Sequence, residues 1–221
     1  MLLAIETSSR AGSVALFDHT GLLERVDIGA PRDHAQGLGP AVQRLLGGRF
    51  ERLTGYAVSA GPGSFTGLRI GVAFLKGLGM VHPRPVVPVG SLEVLAAGLG
   101  AEPADRVAVV DARRGNVFAA RFLGPELEPE PGLPPGMYPA EALRDRLGGL
   151  PLTWVGDGAP VVAPEGGVIA PEATWTPRAD VLAALAWPRL VAGEGVDVAR
   201  VSPIYHQLSA AEESLGICAV D

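Results

Sequence analysis

Cysteine is nearly absent: the 221-residue chain has one, Cys218, so neither a disulfide framework nor a thiolate metal site can form within it. Lysine is equally scarce, Lys76 standing alone among arginines. Histidine occurs four times, at His19, His34, His82 and His206, with no pair close in sequence. A metal site would therefore need a spatial cluster that spacing does not announce. Positive charge as a whole is short, with 18 Lys and Arg against 24 Asp and Glu for a net charge of −6. That balance argues against a chain that grips nucleic acid alone, because phosphate neutralisation dominates such binding; a local basic face of Arg113, Arg114 and Arg121 stays compatible with it. No apolar run approaches the ~20 residues of a membrane span. Met1–Glu6 lacks a basic leader and meets an acid too early for a signal peptide, so it reads as a first strand of a cytoplasmic protein. No Ser/His/Asp arrangement follows from spacing. His34, beside Asp33, is expected at the surface or at an interface.

What is present is apolar material, 48% of the chain, enough for one large domain or two small ones. Residues 2–7, 13–18 and 22–28 read as strands joined by short turns, an antiparallel meander. Pro31–Leu46 carries Leu38, Val42, Leu45 and Leu46 at helical spacing, with Pro40 either starting or bending that helix. A strand at 53–59, a strand at 85–89 and a helix from Ser91 to Leu99 complete a mixed α/β unit.

Between those two strands lies the most distinctive stretch, Ser59-Ala60-Gly61-Pro62-Gly63-Ser64-Phe65-Thr66-Gly67-Leu68-Arg69. Gly-Pro-Gly breaks the strand with a tight turn, and Thr66 is a candidate N-cap for a helix over 67–80. The turn lacks the Gly-Lys-Ser/Thr of a P-loop, and Thr66 stands where a dinucleotide fingerprint needs its third glycine. Pro62 also removes a backbone donor from an anion cradle, so a structural turn is favoured over a ligand loop. The helix itself is apolar nearly all round: Leu68, Val72, Leu75 and Gly79 fall on one side, while Ile70, Ala73, Phe74, Leu78 and Val81 fill most of the rest. Arg69 and Lys76 share one charged stripe. Such a helix is normally buried on more than one side. Gly67, Gly71, Gly77 and Gly79 each cost about 1 kcal/mol against alanine, a cost that close approach by a second element offsets. The expectation is a helix held between its own sheet and something else, such as another subunit.

The pattern then repeats. Val107–Ala119 echoes Leu2–Ala15, each being an apolar strand, an acid (Asp111, Glu6), a turn with arginine and glycine, and a second strand. Two related halves are expected, 1–101 and 102–221. In the second, 124–135 reads as a loop or irregular edge, 140–147 as helix, and 152–156 as a strand ending in Gly156-Asp157-Gly158. A strand at 166–171 and a helix at 178–191 limited by Pro188 follow. Val201–Tyr205 is expected to return to the body, with fraying beyond Ser209.

Glu6-Thr7-Ser8, the Ser59–Arg69 stretch, Asp111-Ala112-Arg113 and Pro203-Ile204-Tyr205, in this order, resemble the TsaB (YeaZ) family over essentially the whole chain. The resemblance implies an α/β actin/Hsp70/sugar-kinase-like fold of two ribonuclease-H-like halves with mixed sheets. It implies a non-catalytic scaffold in the threonylcarbamoyl modification of adenosine in tRNA, binding TsaD together with the ATPase TsaE and forming a homodimer in isolation. Transfer RNA would be met through the complex. The interface then falls on Leu38, Val42 and Leu45 of the first helix and on Leu68, Gly71, Val72, Leu75, Lys76 and Gly79 of the second. TsaD-like chains carry a His-x-x-x-His metal pair after the next strand; the matching positions here are Ser91 and Leu95, and leucine cannot ligate. No catalytic, metal or cofactor residue is expected, with ATP or ADP placed only at a site shared in the complex. Glu6, Ser8, Asp111, Arg113, Gly156 and Gly158 are either remnants of a nucleotide site or organisers of their turns; the arginines after Asp111 favour the second. The alternative, a metal-dependent hydrolase or peptidase of the TsaD-like superfamily, would need convergent ligands.

Overall fold

The computed structural model describes residues 1–29, 31–102 and 105–204, with the side chains of 31–33 left aside. Tyr205, His206, Cys218, the side chain of Asp33 and the segment expected to fray after Ser209 lie outside the described residues.

The first sheet grows from β1 (Leu2–Glu6), whose five residues are all buried. A strand wholly apolar up to its last residue suits a sheet covered on both faces, and β1 is central in one. It pairs antiparallel with β2 (Gly12–Asp18), which pairs antiparallel with β3 (Gly21–Gly29). On its other side it runs parallel to β4 (Gly55–Gly61), and β4 runs parallel to β5 (Val86–Gly90). The order is β3-β2-β1-β4-β5. Helix α1 (Pro31–Leu46) follows β3 and helix α2 (Phe65–Val81) follows β4. Alternate side chains of β1 then divide between two cores. Leu3 and Ile5 meet Leu38, Val42 and Leu45 of α1 and Val72 and Leu75 of α2, while Leu2 and Ala4 join the opposite core. Pro40 neither starts nor ends α1; the helix runs through it with the ring exposed.

After α3 (Ser91–Ala97) the topology recurs. Strands β6 (Arg106–Arg113) and β7 (Asn116–Leu123) form the second hairpin, β8 (Glu128–Pro129) and β9 (Gly136–Pro139) flank β7, and β10 (Thr153–Val155) and β11 (Val168–Ile169) run parallel on the far side of β6. The order β8-β7-β6-β10-β11 repeats β3-β2-β1-β4-β5 strand for strand. The fold is thus two ribonuclease-H-like halves of the actin/Hsp70/sugar-kinase type. The segment read as a loop or irregular edge contains the two-residue β8 at the edge of the sheet. Helix α4 (Ala140–Leu147) lies where the sequence places it, and a four-residue helix α5 (Ala159–Val162) stands after β10.

Helix α6 (Ala179–Val191) belongs to the second half in sequence yet packs on the first sheet. Its small residues Ala179, Ala183 and Ala186 let it approach Leu2, Ala4 and Ala57 closely. Ser13 Oγ accepts the backbone N–H of Ala179 at 2.9 Å, and Arg25 of β3 meets Asp180 at 3.0 Å. The chain then bonds Val196 to Val86 on the free edge of β5 and Ile204 to Ala60. Between the halves, Leu92, Leu95 and Ala96 of α3 meet Ala108, Ala120 and Phe122. The buried Arg106 guanidinium donates to the carbonyls of Ala96, Gly100 and Ala101 (2.9, 2.7 and 3.1 Å), a cation at the C-terminal end of α3.

Candidate functional site

The end of β1 is a pin for the Gly-Pro-Gly loop. Glu6 is fully buried, and its carboxylate accepts from Ser8 N at 2.6 Å, Ser8 Oγ at 2.5 Å and Ser59 Oγ. Burial pushes its pKa up, against the pull of those three donors. Ser8 in turn accepts Ser64 N on its carbonyl at 2.7 Å, and a side chain at Gly63 would collide with that same carbonyl. A cis peptide bond joins Gly61 and Pro62. Ser64, not Thr66, caps α2: its Oγ accepts Gly67 N at 3.2 Å, and the exposed Thr66 lies inside the helix. Glu6 and Ser8 therefore organise a turn, with every carboxylate oxygen turned inward.

Helix α2 has two faces. Leu68, Val72 and Leu75 are 1%, 5% and 1% exposed, and Leu38, Val42 and Leu45 of α1 are equally buried. These residues, expected at a partner interface, are core residues of the chain itself. Gly71 and Gly79 lie with them, and Lys76, half-buried, donates to Ala199 O at 3.3 Å. The physical reason is that helical spacing finds an apolar face without saying which sheet claims it. Three of the four α2 glycines are likewise explained inside the chain. A Cβ on Gly67 would strike the Thr7 carbonyl, one on Gly71 would stand 2.5 Å from Thr7 Oγ1, and one on Gly79 would stand 2.8 Å from Val198 Cγ1. Gly77 differs: it is exposed, with no described atom within 4 Å of where its Cβ would be. It lies on the stripe Ile70, Ala73, Gly77, Met80 and Val81, next to Phe74 and Leu78. Met80 and Val81 are 86% and 72% exposed. Beside this stripe, Arg69 stacks over Phe65 at 3.7 Å from the ring centroid.

The second hairpin is built otherwise. Asp111 is partly exposed; its Oδ1 accepts Arg113 N at 2.8 Å, and its own N–H donates to Asp157 Oδ1 at 3.0 Å. Gly156, at φ +116°, and Gly158 pack so tightly on β6 that a side chain at either would strike Val109. Gly156-Asp157-Gly158 thus ties β10 to β6. Arg113 and Arg114 stand exposed at the hairpin tip, at φ 71° and 53°. Arg121, grouped with them on sequence, is instead enclosed and bound to Asp105 at 2.9 Å and Glu130 at 3.2 Å.

Ser91 and Leu95 are both buried, Leu95 in the contact between halves. His34, expected at the surface or at an interface, is buried inside the chain beside Gly12. His19 is exposed beside Asp18, and His82 stacks on Phe50 at 4.9 Å. Among the described residues no three His, Cys, Asp or Glu side chains are placed to hold a metal ion. A cavity of about 360 Å³ opens between the halves, walled by Pro62, Leu92, Phe122 and Leu127, with the Glu93–Arg189 ion pair, Glu126 and Glu128 around it. Three carboxylates against one guanidinium make it unwelcoming to phosphate.

Comparison with known proteins places this geometry. Residues 28–129 match the family model of TsaD, tRNA N6-adenosine threonylcarbamoyltransferase. Two solved structures superpose on nearly the whole chain at 30% identity. One, described as an uncharacterized protein with similarity to peptidase YEAZ from Pseudomonas aeruginosa, gives a TM-score of 0.80 over 93% of this chain and 99% of its own. The other, YeaZ from Pseudomonas aeruginosa, gives 0.78 over 92% and 98%. The tRNA threonylcarbamoyladenosine biosynthesis protein TsaB of Escherichia coli K12 is 31% identical over 92% of this chain and 93% of its own length. With the Gly-Pro-Gly loop, the capped α2 and the doubled sheet order in place, the chain belongs to the TsaB (YeaZ) family.

Proposed function

We propose that the chain is a non-catalytic subunit in tRNA threonylcarbamoyladenosine biosynthesis, docking a TsaD-type protein on the outer stripe of α2. The observation that carries this is Gly77. Its exposed neighbours Ala73, Met80 and Val81, bordered by Ile70 and Phe74 that are half-buried against the first core, make an apolar strip, and the missing side chain leaves room for a second helix to lie against it. Helix α1 contributes a matching gap at Gly39, where no described atom lies within 4 Å of the Cβ position. A TsaE-type ATPase joins that pair, tRNA is met by the assembly, and a second copy takes the same face when the partner is missing. The chain acts in the cytoplasm. Glu6 and Leu95 support the non-catalytic role: one carboxylate is spent on its own turn and the other position is spent on packing. Any nucleotide sits at a site completed by the partner.

The test is assembly. Ala73→Glu and Gly77→Leu, both at exposed positions, are expected to abolish the complex with a TsaD-type partner in size-exclusion chromatography with light scattering, while the melting temperature holds. A full-sized complex with both variants would remove α2 from the interface.

A further inference from the structure

The β6–β7 hairpin tip has no role in the reading above, yet it is built at a cost. We propose that Arg113 and Arg114 form a contact for phosphate oxyanions, supplied by the tRNA backbone when the chain works in its complex; the choice of tRNA rests on the function proposed above.

Both residues are exposed and adjacent at the tip, and both adopt left-handed backbone angles ahead of Gly115 at φ 78°. That region disfavours any residue with a Cβ. Keeping two arginines where glycine would sit without strain points to work done by their side chains. The tip is also rigid. Asp111 Oδ1 accepts Arg113 N and Asp157 Oδ1 accepts Asp111 N, so each of these carboxylates binds a backbone amide of the turn. Among the described residues the Arg113 guanidinium makes a loose contact to Asp111, 3.7 Å, with its side chain 68% exposed. A guanidinium presents a planar fork that pairs with phosphate oxygens. The tip stands at the C-terminal ends of the parallel strands β6 and β10, the end where ligands gather in open α/β sheets. The corresponding turn of the first half offers one arginine, Arg10, among Ser8, Ser9 and Ala11, and Ser8 is engaged by the Gly-Pro-Gly loop.

Unmodified tRNA and ATP are titrated separately into the complex of this chain with its TsaD-type partner, by fluorescence anisotropy across a salt series. Arg113→Ala/Arg114→Ala is expected to weaken tRNA binding about tenfold and to flatten the plot of log K against log salt by about 1.5. Assembly and melting temperature stay unchanged, and Arg10→Ala serves as the silent control. Loss of ATP binding with tRNA binding intact supports the oxyanion contact and overturns the tRNA source. Unchanged affinity for both, in a complex that assembles normally, overturns the whole proposal. Should the wild-type chain fail to assemble, the function proposed above has failed, and inorganic triphosphate titrated into the chain alone still reads the tip: loss in the double variant supports it, no difference overturns it. If the alanine pair does not fold, Arg113→Lys/Arg114→Lys replaces it, keeping charge without the fork, with about threefold weakening expected.

Discussion

The two halves share one strand order and diverge in what surrounds it. Around β1 stand α1 and α2, 16 and 17 residues long, and α6 closes the opposite face. Around β6 the matching positions hold α4 with 8 residues and α5 with 4. Their turns diverge too, since Glu6 is sealed under Ser8 and Ser59 while Asp111 is partly exposed beneath two arginines. A duplicated scaffold has thus been invested unequally: the first half has long helices with a face to spare, and the second is trimmed to a sheet with a charged tip.

The largest effect that tests this contrast comes from the inner face of α2. Val72→Glu or Leu75→Glu places a charge in the first core and is expected to cost at least about 3 kcal/mol, read as loss of the thermal transition. Ala73→Glu, next to Val72 in sequence but on the exposed outer stripe, leaves that transition in place. Next are the glycines. Gly67→Ala drives a methyl into the Thr7 carbonyl and is expected to cost about 1–3 kcal/mol. Gly77→Ala, in open space, gains up to about 1 kcal/mol of helix propensity. Urea denaturation of the two variants should move in opposite directions.

Two acids give smaller, pH-dependent effects of opposite sign. Glu6 has its folded pKa raised by burial, so the folded chain holds that proton longer than the unfolded chain. Its contribution is complete below the unfolded pKa and is lost as pH rises toward the folded one. Glu6→Gln, whose amide can still accept from Ser8 and donate to Ser59, should gain melting temperature relative to wild type as pH increases. For Asp180, burial raises the pKa, but hydrogen bonds from Arg25 and Arg178 and their charges outweigh it, and the net shift is downward. That contribution is present above the unfolded pKa and fades as pH falls through the folded one. Asp180→Asn should cost about 0.5–1 kcal/mol near neutrality and nothing in strong acid. A pH series of melting curves checks both, and parallel trends would contradict the burial assigned to Glu6.

Much of this was legible in the sequence because local rules decide it. Helix α4 occupies the residues its pattern predicts, and the echo between Leu2–Ala15 and Val107–Ala119 is the pair of hairpins that opens the two sheets. The family signature also reads directly, since the Gly61–Ser64 turn needs glycine where the chain passes Ser8. Long-range choices were not legible. Val72 and Met80 look alike on a helix apolar nearly all round, and only the sheet beneath decides which is core. Thr66 is as good a cap as Ser64 until the turn fixes where the first helical hydrogen bond falls. His34 beside Asp33 looks solvated until β2 brings Gly12 onto its ring. Arg121 resembles Arg113 in type and differs only through Asp105 and Glu130.

The path of α6 sets an order on biosynthesis. Leu2, Ala4 and Ala57 lose their cover without residues 179–191, and a ribosome makes those residues only after the entire second sheet. The opening strands therefore wait with one greasy side bare until the second sheet has been made, a window in which nascent chains depend on chaperones. A message cut short before the codon for Ala179 yields a product whose first sheet has no α6 to cover that face.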